Sequence, residues 1–192
     1  MMMQSTQRSL KLCARIIMLF VSVLAIAQAQ VQVQSLPLNL AIAVETFAPG
    51  ASLLKLTDMD TVACNPIGDS PNLLRGDFSG NAREDVALLL KIKETGKVVE
   101  WQGVRLREAK LALVFFISDG KGGFKAKVAY RYNNYLPTAS MITLVPAGNI
   151  QNRALKTGVI IRKPAAQLSF CEKSATLYYI SAGRIRTIPL SD

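Results

Sequence analysis

Histidine is absent from the 192 residues. Without imidazole the chain has no Ser-His or Cys-His catalytic pair, no histidine-ligated metal and no general base with an ordinary pKa near neutrality. Cysteine is scarce, with only Cys13, Cys64 and Cys171. Cys13 lies before an apolar run and not where a lipid-modified cysteine would follow one. Cys64 and Cys171 are too far apart in sequence to suggest a zinc site. No apolar run approaches the roughly 20 residues a membrane-spanning helix needs. Nor does any motif recur at a fixed period, which argues against a repeat array. Acidic residues are nearly missing from the C-terminal part: residues 120–192 hold eleven basic side chains against two acidic ones, Glu172 and Asp192. Residues 30–119 hold nine basic and eleven acidic.

The N-terminus carries Arg8, Lys11 and Arg15, then the apolar run 16–27 and the small-residue site Ala27-Gln28-Ala29. That is the pattern of a signal peptide over residues 1–29, with an uncleaved anchor as the alternative. Residues 30–192 are then expected to form a single β-rich domain, periplasmic or secreted to the cell surface. In such an oxidising compartment Cys64 and Cys171 are expected to pair as a disulfide. The bias of charge toward Lys and Arg fits a polyanionic partner, such as an acidic polysaccharide, lipid headgroups or nucleic acid, the alternative being solubility and chance. No specific nucleic-acid motif is present, and no transmembrane segment follows the leader.

Ser35-Leu36-Pro37 places a cap and a proline before a short helix over Leu38–Phe47, which Ala48-Pro49-Gly50 ends. Residues 52–57 suggest a strand, and the turn formers clustered over 58–72 a long surface connection. Residues 85–93 fit a helical face or a strand face equally well. Residues 94–110, around the lone Trp101, read as a long loop or an extra hairpin. Seven apolar residues in a row, 111–117, suit a strand covered on both sides. After the glycine turn 118–123, Phe124, Ala126, Val128, Tyr130 and Tyr132 alternate with Lys125, Lys127, Ala129 and Arg131, which puts the three cations on one strand face. Runs at 141–145, 158–162, 167–171, 176–180 and 184–190 continue the pattern, with Arg184 and Arg186 sharing a face. The expected fold is mainly β (α+β), a short N-terminal helix followed by an antiparallel β-meander resembling a propeller blade. Lys125, Lys127, Arg131, Arg184 and Arg186 are the candidate polyanion-binding residues.

The densest chemistry lies in residues 76–85, Gly-Asp-Phe-Ser-Gly-Asn-Ala-Arg-Glu-Asp. Asp77, Ser79, Asn81 and Asp85 stand at positions 1, 3, 5 and 9 of a loop, with the Arg83 carbonyl at position 7, a spacing that can fold oxygens around calcium. Position 12 is Leu88, where an EF-hand requires a bidentate Glu. Two carboxylates attract a divalent ion weakly, so millimolar calcium affinity or none is expected. The same side chains can instead bond their own backbone and shape a turn. Arg75-Gly76-Asp77 also spells an adhesion tripeptide, but its Gly and Asp already belong to that turn.

The stretch 76–87 resembles one FG-GAP or VCBS-type repeat, and residues 115–124 are similar to the second hairpin of that unit. The likeness covers about 76–132 and departs from the family at Ser79, Asn81 and Ala82, where Asn or Asp, a carboxylate and a glycine are usual. It implies a blade-like β unit with a calcium turn, as in small exported bacterial proteins without an assigned activity.

One enzyme pattern is present. Ser52-Leu53-Leu54-Lys55, Tyr132-Asn133-Asn134 and Lys156-Thr157-Gly158 follow the order of serine acyl-transferases of the penicillin-binding type. In those enzymes the serine opens a buried helix, whereas Ser52 follows the Pro49-Gly50 break in a strand-like run. The paired Asp58 and Asp60 read as a solvated turn. The expectation is an exported binding or structural domain that is not an enzyme, with a protein-interaction or adhesion module as the alternative and the acyl-transferase as a remote one.

Overall fold

The computed structural model describes residues 36–54, 72–101, 104–135, 140–152, 157–170 and 174–191. The leader 1–29, both cysteines of the expected disulfide, Lys55, Asp58, Asp60 and Lys156 lie outside them.

Pro37 precedes helix α1 (Leu38–Phe47), whose Leu40 and Val44 are buried and whose last turn is closed by the Ala48 N–H on the Val44 carbonyl. The strands are β1 (Ser52–Leu53), β2 (Leu73–Gly76), β3 (Asp85–Trp101), β4 (Val104–Ser118), β5 (Phe124–Tyr135), β6 (Ser140–Val145), β7 (Gly148–Asn152), β8 (Thr157–Ile161), β9 (Ala165–Phe170), β10 (Ser174–Ser181) and β11 (Arg184–Ser191). Among the described residues the fold is mainly β with one short helix, and the sheets are antiparallel with no closed barrel. The meander is divided between two main sheets. β1 and β2 both pair with β3, followed by β4 and β5; the second sheet runs β11-β10-β9-β6, and β7 with β8 forms a third.

The layers follow from which residues share a face. Ala87, Leu89, Leu111, Leu113 and Phe115 of the first sheet pack against Ile142, Ala166, Leu168, Tyr178 and Ile180 of the second. The opposite face of the first sheet, Val86, Leu88, Leu90, Ala112, Val114 and Phe116, is covered by Leu40 and Val44 of α1. The outer face of the second, including Ala165, Leu177 and Ile188, is covered by Ile161 of β8. Residues 86–90 of β3, 111–116 of β4 and 177–180 of β10 are thus covered on both faces, which is why the first two stretches are continuous apolar runs. The helix-or-strand ambiguity of 85–93 resolves as strand: Leu88 pairs with both Leu73 and Val114. Residues 94–110 prolong the β3–β4 hairpin to Trp101↔Val104.

The alternation read along β5 does not survive. Val128 pairs with Val114 and Tyr130 with Leu113, so Ala129 is an extra residue, a β-bulge. The bulge exchanges the two faces. Phe124 and Ala126 pack on the helix side, whereas Tyr130 and Tyr132 pack between the sheets.

Candidate functional site

Five connections converge on one end of the domain: those between β2 and β3, β4 and β5, β6 and β7, β8 and β9, and β10 and β11. Contacts tie them together across the sheets. The Lys163 ammonium donates to the Ser79 carbonyl, and the Lys127 ammonium donates to the Gly183 carbonyl at 2.8 Å.

The acidic turn is held by its own carboxylates. Asp77 Oδ1 accepts the N–H groups of Gly80 (2.6 Å) and Asn81 (2.9 Å), and its Oδ2 accepts that of Ala82 (2.9 Å). Asp85 is fully buried; Oδ2 takes the Ser79 N–H at 2.8 Å and Oδ1 the Ser118 N–H at 2.9 Å. A buried carboxylate is costly without such donors, and this one links the acidic turn to the end of β4. Asn81 Oδ1 accepts the Arg83 N–H at 2.9 Å, and Asn81 Nδ2 donates to the Ser118 carbonyl at 3.1 Å. Phe78 points inward, edge-on to Phe115 with ring centroids 5.1 Å apart. Ser79 Oγ, also expected around an ion, is buried with no hydrogen-bond partner among the described residues. All four carboxylate oxygens of Asp77 and Asp85 accept backbone N–H groups, so a cation would have to displace these bonds. Among the described residues no three His, Cys, Asp or Glu side chains form a group suited to a metal.

Two backbone positions make the bend. Gly80 is left-handed at φ +76°, and a Cβ there would run into the Lys163 side chain. Ala82, standing where the resemblance calls for glycine, is also left-handed at φ +60°, a region costing an L-residue roughly 1–2 kcal/mol. In the β4–β5 turn, Asp119 Oδ1 accepts the N–H groups of Lys121 (2.7 Å) and Gly123 (2.9 Å). These bonds, more than the nearby Lys121 and Arg83 charges, hold its carboxyl below the ordinary carboxylate value.

The five candidate cations do not share one face. Lys125 and Lys127, opposite Ile117 and Phe115, lie on the face that looks toward the second sheet. Arg131, beyond the bulge, is opposite Ala112 on the helix side, its guanidinium 5.8 Å above the Phe47 ring. Arg186 pairs with Tyr179 and Arg184 with Ser181, on the outer face of the second sheet. The expected common face of Lys125, Lys127 and Arg131 is thereby corrected, the bulge being the cause. What the topology does gather is an end. Lys125, Lys127, Arg184 and Arg186 leave the turns there, and Arg75, Arg83, Lys121, Arg162 and Lys163, which the sequence reading did not single out as anion ligands, join them. Nine basic side chains meet four acidic ones, Asp77, Glu84, Asp85 and Asp119. Three of the four acids accept backbone N–H groups, and Glu84 pairs with Arg75 at 2.5 Å. The Arg83 guanidinium lies over Gly120. Local signals for the missed residues were faint: Lys121 sits in the glycine turn, and Arg162-Lys163-Pro164 is a short basic turn.

Ser52 lies in the two-residue strand β1, paired with Lys91, and does not open a helix. The adhesion tripeptide is not presented: Arg75 and Gly76 belong to β2, and the Asp77 carboxylate is engaged within its turn. Comparison with family models, curated proteins and solved structures returns no match.

Proposed function

We propose that the protein is an exported, non-enzymatic binding domain that holds a polyanion at this turn end. The observation that carries the reading is the excess of cations at one end of the layered sheets, beside carboxylates already engaged by backbone N–H groups and by Arg75. A ligand with closely spaced phosphate, sulfate or carboxylate groups would meet a net positive field there, exposed at Arg83, Lys121, Lys125, Arg162, Arg184 and Arg186. In this reading the 77–85 turn is an architectural clasp, whether or not it descends from an FG-GAP or VCBS unit. Calcium plays at most a weak part, since binding would compete with five backbone hydrogen bonds.

Retention on immobilised heparin or lipopolysaccharide tests the reading. Binding at low salt that is lost at high salt is expected, because exposed charges are screened once the Debye length shortens. Absence of retention at low salt would overturn it. A saturable terbium signal at micromolar concentration would overturn the clasp reading of the turn. Covalent labelling by a fluorescent penicillin that disappears in Ser52→Ala would overturn the assignment as a non-enzyme.

A further inference from the structure

Helix α1 begins at this same end and carries an apolar pair that nothing in the described domain covers. Leu38 and Ile42, one turn apart, are 78% and 58% exposed, the first and third most exposed of the large apolar residues described. Asn39, beside Leu38, donates Nδ2 to the Gly122 carbonyl at 3.0 Å. That bond fixes the helix start against the β4–β5 turn, next to Lys121 and the Arg83 guanidinium over Gly120. Cations and large apolar side chains therefore stand side by side. A dissolved polyanion gives leucine and isoleucine nothing to enter, whereas a bilayer offers both partners: phosphates for the cations and the acyl boundary just beneath for the apolar pair.

We infer that the turn end docks on an anionic lipid bilayer, with Leu38 and Ile42 entering the headgroup region while Arg83 and Lys121 contact phosphates. The inference rests on the polyanion reading of the same end and adds the apolar requirement. It is tested by flotation of the protein, as the producing cell leaves it, with phosphatidylcholine vesicles with and without phosphatidylglycerol, alongside heparin retention. Wild type is expected to float with the anionic vesicles only. Leu38→Ser/Ile42→Ser is expected to weaken flotation roughly tenfold while leaving heparin retention unchanged, since no charge is altered. Arg83→Glu/Lys121→Glu is expected to weaken both. Val98→Ser, an exposed apolar residue at the far end of the β3–β4 hairpin, is expected to change neither. Circular dichroism checks that each variant is folded. Flotation of the serine pair at wild-type level overturns the inference. So does heparin retention by a wild type that fails to float, which would make the ligand a soluble polyanion. Loss of both bindings in the wild type would bring down the polyanion reading itself.

Discussion

Strands β3 and β4 run the length of the first sheet, and their two ends are secured by opposite means. At the turn end, buried Asp85 bonds the backbone of Ser79 and Ser118, and Phe78 is sealed under Phe115. At the other end the same strands run on as a ribbon, with register shifts between Lys91 and Lys93 and between Glu94 and Val98. Ion pairs mark that ribbon, Lys91 with Glu94 at 3.3 Å and Lys97 with the buried Glu108 at 3.1 Å. One end is specified by burial and satisfied polar groups, the other by strand pairing and ion pairs. Of these two ends, the turn end carries the denser set of buried and hydrogen-bonded anchors, the fixed geometry that the proposed binding face needs.

Mutations at the two ends should separate accordingly. Phe78→Ala leaves a cavity in the fully buried core and is expected to cost about 3–5 kcal/mol in urea unfolding, against less than about 1 kcal/mol for Val98→Ala on the ribbon. Asp85→Ala orphans the Ser79 and Ser118 N–H groups and is expected to cost about 2–3 kcal/mol. Ala82→Gly acts in the opposite direction: relief of the left-handed alanine should stabilise the fold by up to about 1 kcal/mol, seen as a raised Tm. Equal losses at the two ends would erase the contrast.

The alkaline limb of stability probes the layer between the sheets. Burial first, and the nearby Tyr130 second, push the Tyr178 hydroxyl up to about 12 from 10.0. The folded state therefore holds this proton more tightly than the unfolded chain. The resulting stabilisation is complete below pH 10 and fades as pH rises through about 12. Tyr178→Phe should flatten the decline over that window, read by Tm against pH.

Much of the fold was legible because its signals are local. The helix over Leu38–Phe47 follows from Leu36-Pro37 before it and Pro49-Gly50 after it, and 111–117 is apolar because β4 is covered on both faces. β2 escaped notice, since Leu73 and Leu74 are only two apolar residues between Asn72 and Arg75-Gly76. β7 was missed because Ile150 is its one large apolar side chain. The Ala129 bulge has no signature in period-two counting, yet it moves Arg131 to the opposite face from Lys125 and Lys127. The candidate site was legible only in part. The Asp77 and Asp85 turn shows in its spacing, but Lys163 meets Ser79 across 84 residues, and no local pattern encodes that contact.

Placement, and not total charge, is the central claim, so the decisive measurement compares two double charge reversals on a heparin column. Arg162→Glu/Arg184→Glu alters the turn end, and Lys93→Glu/Lys110→Glu alters the exposed ribbon by the same net charge. The account predicts that the first pair elutes at much lower salt than wild type while the second barely moves. Equal shifts for the two pairs would contradict it.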